Sequence, residues 1–112
     1  MAIDYRTYQA GAFETAVYPN RGKGNWTYAG LGLAGETGEI SEKLKKAIRD
    51  DGGVITDVRR AALKKELGDV LWYVAALCTE LKLDMQEVAE ENLAKLAKRK
   101  AESQLHGDGD DR

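Results

Sequence analysis

Apolar residues recur at helical spacing along most of the chain, and this pattern predicts four helices and no strand. Pro19 ends the first predicted helix, and the run Asp51-Gly52-Gly53 ends the second. Counted from each N-cap, the predicted helices lie at about Ile3–Val17, Thr27–Arg49, Thr56–Leu81 and Asp84–Ala101, with Asp57 as the other candidate start of the third. The sequence therefore predicts an all-α fold, an antiparallel bundle of four to five helices.

The length sets the domain organisation. With 112 residues, 43% of them apolar, the chain can build one modest core. We expect a single helical domain at 1–101 and an acidic tail at 102–112, which the composition predicts to be disordered. A deep site in so small a domain is expected to be shared between subunits.

The charge balance narrows the function classes. There are 17 Lys+Arg against 19 Asp+Glu, a net charge of -2, which argues against a nucleic-acid partner. The uncharged run Val70–Thr79 is too short to span a membrane, and no signal pattern is visible, so we expect a cytoplasmic protein without a membrane partner. Cys78 is the single cysteine and is expected in the core. The single His106 disfavours histidine-based metal sites and histidine-dependent nucleophilic catalysis.

Two pairs of acids interrupt the amphipathic pattern. On a helical wheel at about 100° per residue, Glu36 lies at the margin of the apolar stripe of the second helix and Glu39 about 60° further round. Glu66 and Asp69 occupy the matching positions on the third helix. If the two helices face each other, the four carboxylates converge.

Four close carboxylates repel one another, so something positive has to offset them. A site made only of carboxylates, without histidine, favours Mg²⁺ or Mn²⁺ over zinc or copper. The alternative is that these acids are surface charges paired with lysines at helical spacing, for which Lys43, Lys64 and Lys65 are available.

Glycines accompany both acid pairs. Each glycine inside a helix costs roughly 1 kcal/mol relative to alanine, so several of them require a compensating gain. Close approach by another helix is one explanation and direct contact with a ligand is another; for Gly30 and Gly32, a third is that the second helix starts later, near Gly35. The glycines concerned are Gly30, Gly32, Gly35, Gly38 and Gly68.

The third helix is apolar nearly all round, with Trp72 opposite its core stripe. We interpret this second face as the interface of a homodimer or larger assembly; the alternative is that the first helix and its loop cover Trp72.

The fourth helix ends in basic residues, with Asn92, Lys95 and Arg99 at successive turns. They suit a solvated helix end, or phosphate contacts if a metal site lies nearby.

Taken together, three segments resemble the MazG-type all-α nucleoside triphosphate pyrophosphohydrolases. The segments are Leu33-Ala-Gly-Glu-Thr-Gly-Glu-Ile40, Lys65-Glu-Leu-Gly-Asp-Val-Leu71, and Asn92-Leu-Ala-Lys95 followed by Arg99. The family signature is Glu-x-x-Glu, a spacer, then Glu-x-x-Asp. Many members carry an additional Glu directly before the first motif acid, where this chain has Gly35, and this departure leaves the general base undefined.

The resemblance implies a Mg²⁺-dependent enzyme, with Mn²⁺ as a substitute, that cleaves a (d)NTP to (d)NMP and pyrophosphate by attack of water at the α-phosphate. It also implies metal ligands, a general base from Glu36 or Glu39, and phosphate contacts on the fourth helix. The implied metal ligands are Glu36, Glu39, Glu66 and Asp69, and the implied phosphate ligands are Asn92, Lys95 and Arg99.

Base recognition and substrate stay open. Trp26 and Tyr28 are the first candidates to contact a nucleobase, and Tyr5, Tyr8 and Gln9 are the second.

The competing functions are a related pyrophosphohydrolase acting on phosphoribosyl-ATP or dUTP, and a non-catalytic helical interaction module. A redox di-iron bundle is disfavoured because that design uses Glu-x-x-His pairs. The expected partners are a nucleoside triphosphate and further copies of the chain, in a homodimer or homotetramer.

Overall fold

A computed structural model describes residues 2–102, and within that range the chain forms four α-helices and no strand. The helices are α1 (Tyr5–Glu14), α2 (Trp26–Asp50), α3 (Asp57–Glu80) and α4 (Met85–Ala101). The all-α prediction is confirmed. Apart from Glu102, the acidic tail predicted at 102–112 lies outside the described residues, as does His106.

Short polar side chains begin every helix by accepting a hydrogen bond from a backbone N–H of its first turn. These N-caps are Asp4, Asn25, Thr56 and Asp84. The predicted starts of α3 and α4 are confirmed. The predicted N-cap of α2, Thr27, is wrong because Asn25 fills that role, and a start near Gly35 is wrong for the same reason. The first helix is shorter than Ile3–Val17, since Asp4 caps it and Thr15 ends it.

The third helix lies at the centre of the fold. It packs against α2, α1 and α4, and α1 also contacts α4, whereas α2 contacts only α3 within residues 2–102. The core consists of two small clusters of buried residues: Ala12, Ala75, Cys78 and Met85, and Ala16, Tyr18, Ala29 and Ala76. The burial of Cys78 is confirmed. Across the described range, no helix has both the length and the hydropathy needed to cross a bilayer.

Trp72 is half-buried within the chain, and α1 and the loop after it cover part of the face that the sequence suggests as an interface; an assembly through the rest of that face stays a prediction. Its ring contacts both core clusters, its Nε1–H donates to Thr15 Oγ1 at 2.9 Å, and the Tyr18 ring meets it edge-on at 6.4 Å. Because α3 is sandwiched between α2 and α1, both of its apolar faces are used within one chain. The alternative, that the first helix and its loop cover Trp72, is confirmed in part.

The close approach predicted for the helical glycines occurs at one of them. A Cβ on Gly32 would overlap the ring of Tyr73 on α3, so the absence of a side chain at Gly32 makes room for that ring. The other four have no neighbour within 4 Å of such a Cβ: Gly30, Gly35, Gly38 and Gly68.

Candidate active site

Three carboxylates meet where α2 packs on α3. Glu36 from α2 and Glu66 and Asp69 from α3 each place one carboxylate oxygen within 4.8 Å of the others, and we call this group the three-carboxylate cluster. Glu36 and Glu66 are half-buried and Asp69 is exposed, so the cluster opens to solvent on one side. An incoming ligand can therefore approach the cluster from the side of Asp69.

The cluster follows from spacing and from the contact between two helices. Glu66 and Asp69 are three residues apart, which places them on one side of α3. Glu36 comes from the helix that packs on that side. Three of the four carboxylates that the sequence pattern predicts to converge are thus brought together.

Glu39 lies beside the cluster but outside it. Its side chain is 59% exposed, and its Oε2 lies 4.0 Å from Lys43 Nζ. The same Nζ donates to Glu66 Oε1 at 3.0 Å. The lysine pairing considered from the sequence therefore exists for Lys43, and it coexists with the convergence of the acids.

The cluster holds more negative charge than Lys43 balances. Burial, a hydrogen bond with Glu66 and the nearby charge of Asp69 raise the pKa of Glu36. The hydrogen bond from Lys43 is the main cause that lowers the pKa of Glu66. A raised carboxyl pKa among oxygen ligands indicates that a further cation would be stabilising, and Mg²⁺ or Mn²⁺ fits this donor set.

An aromatic cleft opens beside the cluster. Its volume is about 320 Å³, and it is lined by Glu36, Asp69, Thr15, Trp72 and Tyr73. Trp72 and Tyr73 follow Asp69 by three and four residues, so helical spacing carries them to the same side of α3. This spacing is the signal that could have identified them as site residues, and the sequence analysis missed it.

Comparison with known protein families identifies the family to which this chain belongs. Positions 27–103 match the family described as MazG nucleotide pyrophosphohydrolase domain. The chain belongs to this family. It is also 45% identical over 109 residues to Gene 37 protein of Mycobacterium phage L5, covering 94% of this chain and 96% of that protein. No solved structure matches the chain.

The aromatic residues first predicted to contact the base, Trp26 and Tyr28, are not among the residues that line the aromatic cleft. Trp26 is 57% exposed at the start of α2 and is absent from that lining. The Tyr28 ring stacks on Tyr18, with ring centroids 4.8 Å apart. After burial, the interaction with Tyr28 is the next cause that raises the pKa of Tyr73, so Tyr28 neighbours a residue that lines the cleft. A base contact by Trp26 or Tyr28 stays a prediction.

The second set of base candidates lies on α1. Gln9 donates to the Leu83 carbonyl at 2.9 Å and accepts from the Met85 backbone N–H at 2.8 Å, so its amide ties α1 to the turn before α4. Tyr5 and Tyr8 line a separate cleft of about 450 Å³. That cleft has neither Glu36 nor Asp69 among its lining residues.

The predicted phosphate ligands are all on α4. Asn92 is exposed at the edge of an apolar cleft that Leu71 and Val74 also line, Lys95 is half-buried, and Arg99 is buried. The helices α4 and α2 are not packed against each other within the described part of the chain. Their phosphate role stays a prediction.

Proposed function

We propose that this MazG domain is a Mg²⁺-dependent nucleoside triphosphate pyrophosphohydrolase that converts a (d)NTP to (d)NMP and pyrophosphate. The observation that carries the proposal is the three-carboxylate cluster beside an aromatic cleft of about 320 Å³. The cluster would hold Mg²⁺, or Mn²⁺ in its place. The cleft would take the nucleoside, because the rings of Trp72 and Tyr73 offer a base a stacking surface next to the metal ligands.

The reaction is the attack of water on the α-phosphorus. The bond from that phosphorus to the oxygen bridging the β-phosphate breaks, and pyrophosphate leaves. When bound, Mg²⁺ neutralises charge on the phosphate oxygens and lowers the pKa of water. Glu39 lies beside the cluster with its carboxylate exposed, which suits it to accept the proton of the attacking water. Glu36 is the second candidate base, since Gly35 offers no carboxylate.

The proposal includes assembly of the chain as a homodimer or homotetramer. No large side chain among the described residues is fully buried, while aliphatic side chains such as Leu31, Ile48, Val58 and Leu93 are more than half exposed. Apolar surface of this kind is buried in stable assemblies. In this proposal Asn92, Lys95 and Arg99 on α4 would bind the leaving pyrophosphate.

The experiment is a screen of canonical and damaged (d)NTPs with Mg²⁺ or Mn²⁺, with dUTP and phosphoribosyl-ATP included, read out as pyrophosphate release. We expect Glu39→Gln to lower kcat by about 10²–10⁴-fold, the range typical of a lost general base. Glu42→Gln is the matched control, because Glu42 is on the same helix, is paired with Lys45 and contributes no oxygen to the cluster.

Full activity of Glu39→Gln would contradict its assignment as the base and transfer that role to Glu36. If the wild-type chain releases no pyrophosphate from any triphosphate with either metal, the enzyme proposal is wrong and the non-catalytic interaction module is favoured.

A further inference from the structure

Glu80, the last residue of α3, is a buried carboxylate that the proposed reaction does not use. It is 3% exposed. Its Oε2 accepts hydrogen bonds from Tyr18 Oη at 2.5 Å and from the Gly22 backbone N–H at 2.7 Å. Its Oε1 accepts from the backbone N–H groups of Gly24, at 3.0 Å, and Asn25, at 2.8 Å. A single carboxylate therefore accepts four hydrogen bonds.

All four donors are neutral and come from the segment between α1 and α2, residues 15–25. Ion pairs in the described part of the chain involve other carboxylates, so the buried charge of Glu80 is balanced by these dipoles. Gly22 and Gly24 have φ angles of +75° and +84°, a conformation that glycine adopts without strain. The segment is thus shaped to wrap its N–H groups around one carboxylate.

The segment that Glu80 holds also builds the wall of the proposed nucleotide cleft. Tyr18 bonds to Glu80 through its hydroxyl and contacts Tyr28 and Trp72 through its ring. Thr15, at the start of the segment, accepts the hydrogen bond from Trp72 Nε1. Thr15 and Trp72 line the cleft together with carboxylates of the cluster. Glu80 is thus connected to the wall through Tyr18, whose ring contacts Trp72.

We propose that Glu80 is a positioning residue for nucleotide binding, which fixes residues 15–25 so that Thr15 and Trp72 form one wall of the cleft beside Glu36 and Asp69. This inference rests on the proposed function. It predicts that loss of the Glu80 charge weakens the binding of the nucleotide and leaves the chemical step intact, because the cluster itself is unchanged.

The test compares Glu80→Gln with wild type and with Glu87→Gln, a matched change at an exposed position on α4. The amide introduced by Glu80→Gln would turn an N–H₂ group towards donors, so the four bonds cannot all form. We expect faster hydrogen–deuterium exchange at the amides of Gly22, Gly24 and Asn25. For the preferred triphosphate of the screen, we expect KM to rise at least about tenfold with kcat within about threefold of wild type.

A second variant covers the case in which Glu80→Gln does not fold. Tyr18→Phe removes one of the four donors and keeps the ring contacts with Tyr28 and Trp72, so we expect KM to rise about two- to fivefold at constant kcat. An unchanged KM in both variants, or in Tyr18→Phe alone if Glu80→Gln does not fold, would overturn the inference even if amide exchange accelerates. A wild-type chain that hydrolyses no triphosphate would overturn the proposed function and this inference together, so the two failures are distinguishable.

Discussion

Gly32 on α2 makes room for the ring of Tyr73 on α3. A Cβ at this position would overlap ring atoms of Tyr73, whereas the same addition at Gly30 meets no atom within 4 Å. Tyr73 lines the cleft beside Glu36 and Asp69. The absence of a side chain at Gly32 therefore leaves space for a ring that lines the cleft.

We predict that Gly32→Ala lowers the free energy of unfolding by about 1–3 kcal/mol, because overpacking outweighs the gain in helix propensity. Gly30→Ala is the control, and it should raise the free energy of unfolding by up to about 1 kcal/mol, because only the propensity gain applies there. Urea denaturation followed by circular dichroism measures both. Equal stability of the two variants would show that Tyr73 moves aside freely.

The residues of the site could be predicted from the sequence to different extents. The spacing of Glu36, Glu66 and Asp69 was sufficient to predict that they converge, since helical geometry fixes which side each occupies. The aromatic wall was missed because the wheel shows that Trp72 is apolar and opposite the core stripe, but does not show which element covers it. Tertiary packing of α1 decides that point.

At the scale of elements, the helices were predictable and the connection between α1 and α2 was not. Caps such as Thr56 and Asp84 act within a few residues, so a local pattern reveals them. The segment at 15–25 is held by Glu80, whose bond to Asn25 spans 55 positions of the chain. No local pattern carries that information.

The hydrogen bonds that Glu80 accepts predict that the free energy of unfolding depends on pH. Burial acts to raise the pKa of Glu80, but four hydrogen bonds outweigh burial, so this pKa lies below its ordinary value of 4.5. The hydrogen bonds come from Tyr18 and from the backbone N–H groups of Gly22, Asn25 and Gly24. Because the folded state lowers this pKa, the stabilisation is present above pH 4.5 and is lost as the pH falls through the folded-state value.

We therefore expect the free energy of unfolding of wild type to fall more steeply below about pH 4.5 than that of Glu80→Gln, with parallel curves at neutral pH. Other carboxylates contribute equally to both proteins, so the difference between the curves isolates Glu80. Urea denaturation at a series of pH values measures it. Parallel curves throughout the acid range would contradict the lowered pKa of Glu80.

At the scale of the whole molecule, one copy leaves much apolar surface in contact with water. The side chains of Ile48 and Val58, on either side of the turn between α2 and α3, are 73% and 83% exposed. Among the helices of the described residues, α2 packs only on α3, and its first turn also contacts Tyr18, so the rest of its surface can meet another copy. The proposed assembly uses this surface.

We predict that light scattering after size-exclusion chromatography gives two or four times the chain mass of 12.3 kDa. The double variant Ile48→Asp with Val58→Asp should shift the mass towards one chain, because two charges would be buried in an apolar interface. Lys45→Asp, an exposed change on the same helix, should leave the assembly intact. A wild-type mass of one chain would contradict the assembly.

The central claim is that the three-carboxylate cluster of this MazG domain directs water to the α-phosphorus of a nucleoside triphosphate. Hydrolysis in ¹⁸O-labelled water with Mg²⁺, followed by mass spectrometry of both products, tests it most directly. We predict one ¹⁸O atom in the nucleoside monophosphate, none in pyrophosphate, and no labelled product from Glu66→Gln. Label in the pyrophosphate, or an unchanged rate for Glu66→Gln, would contradict the account.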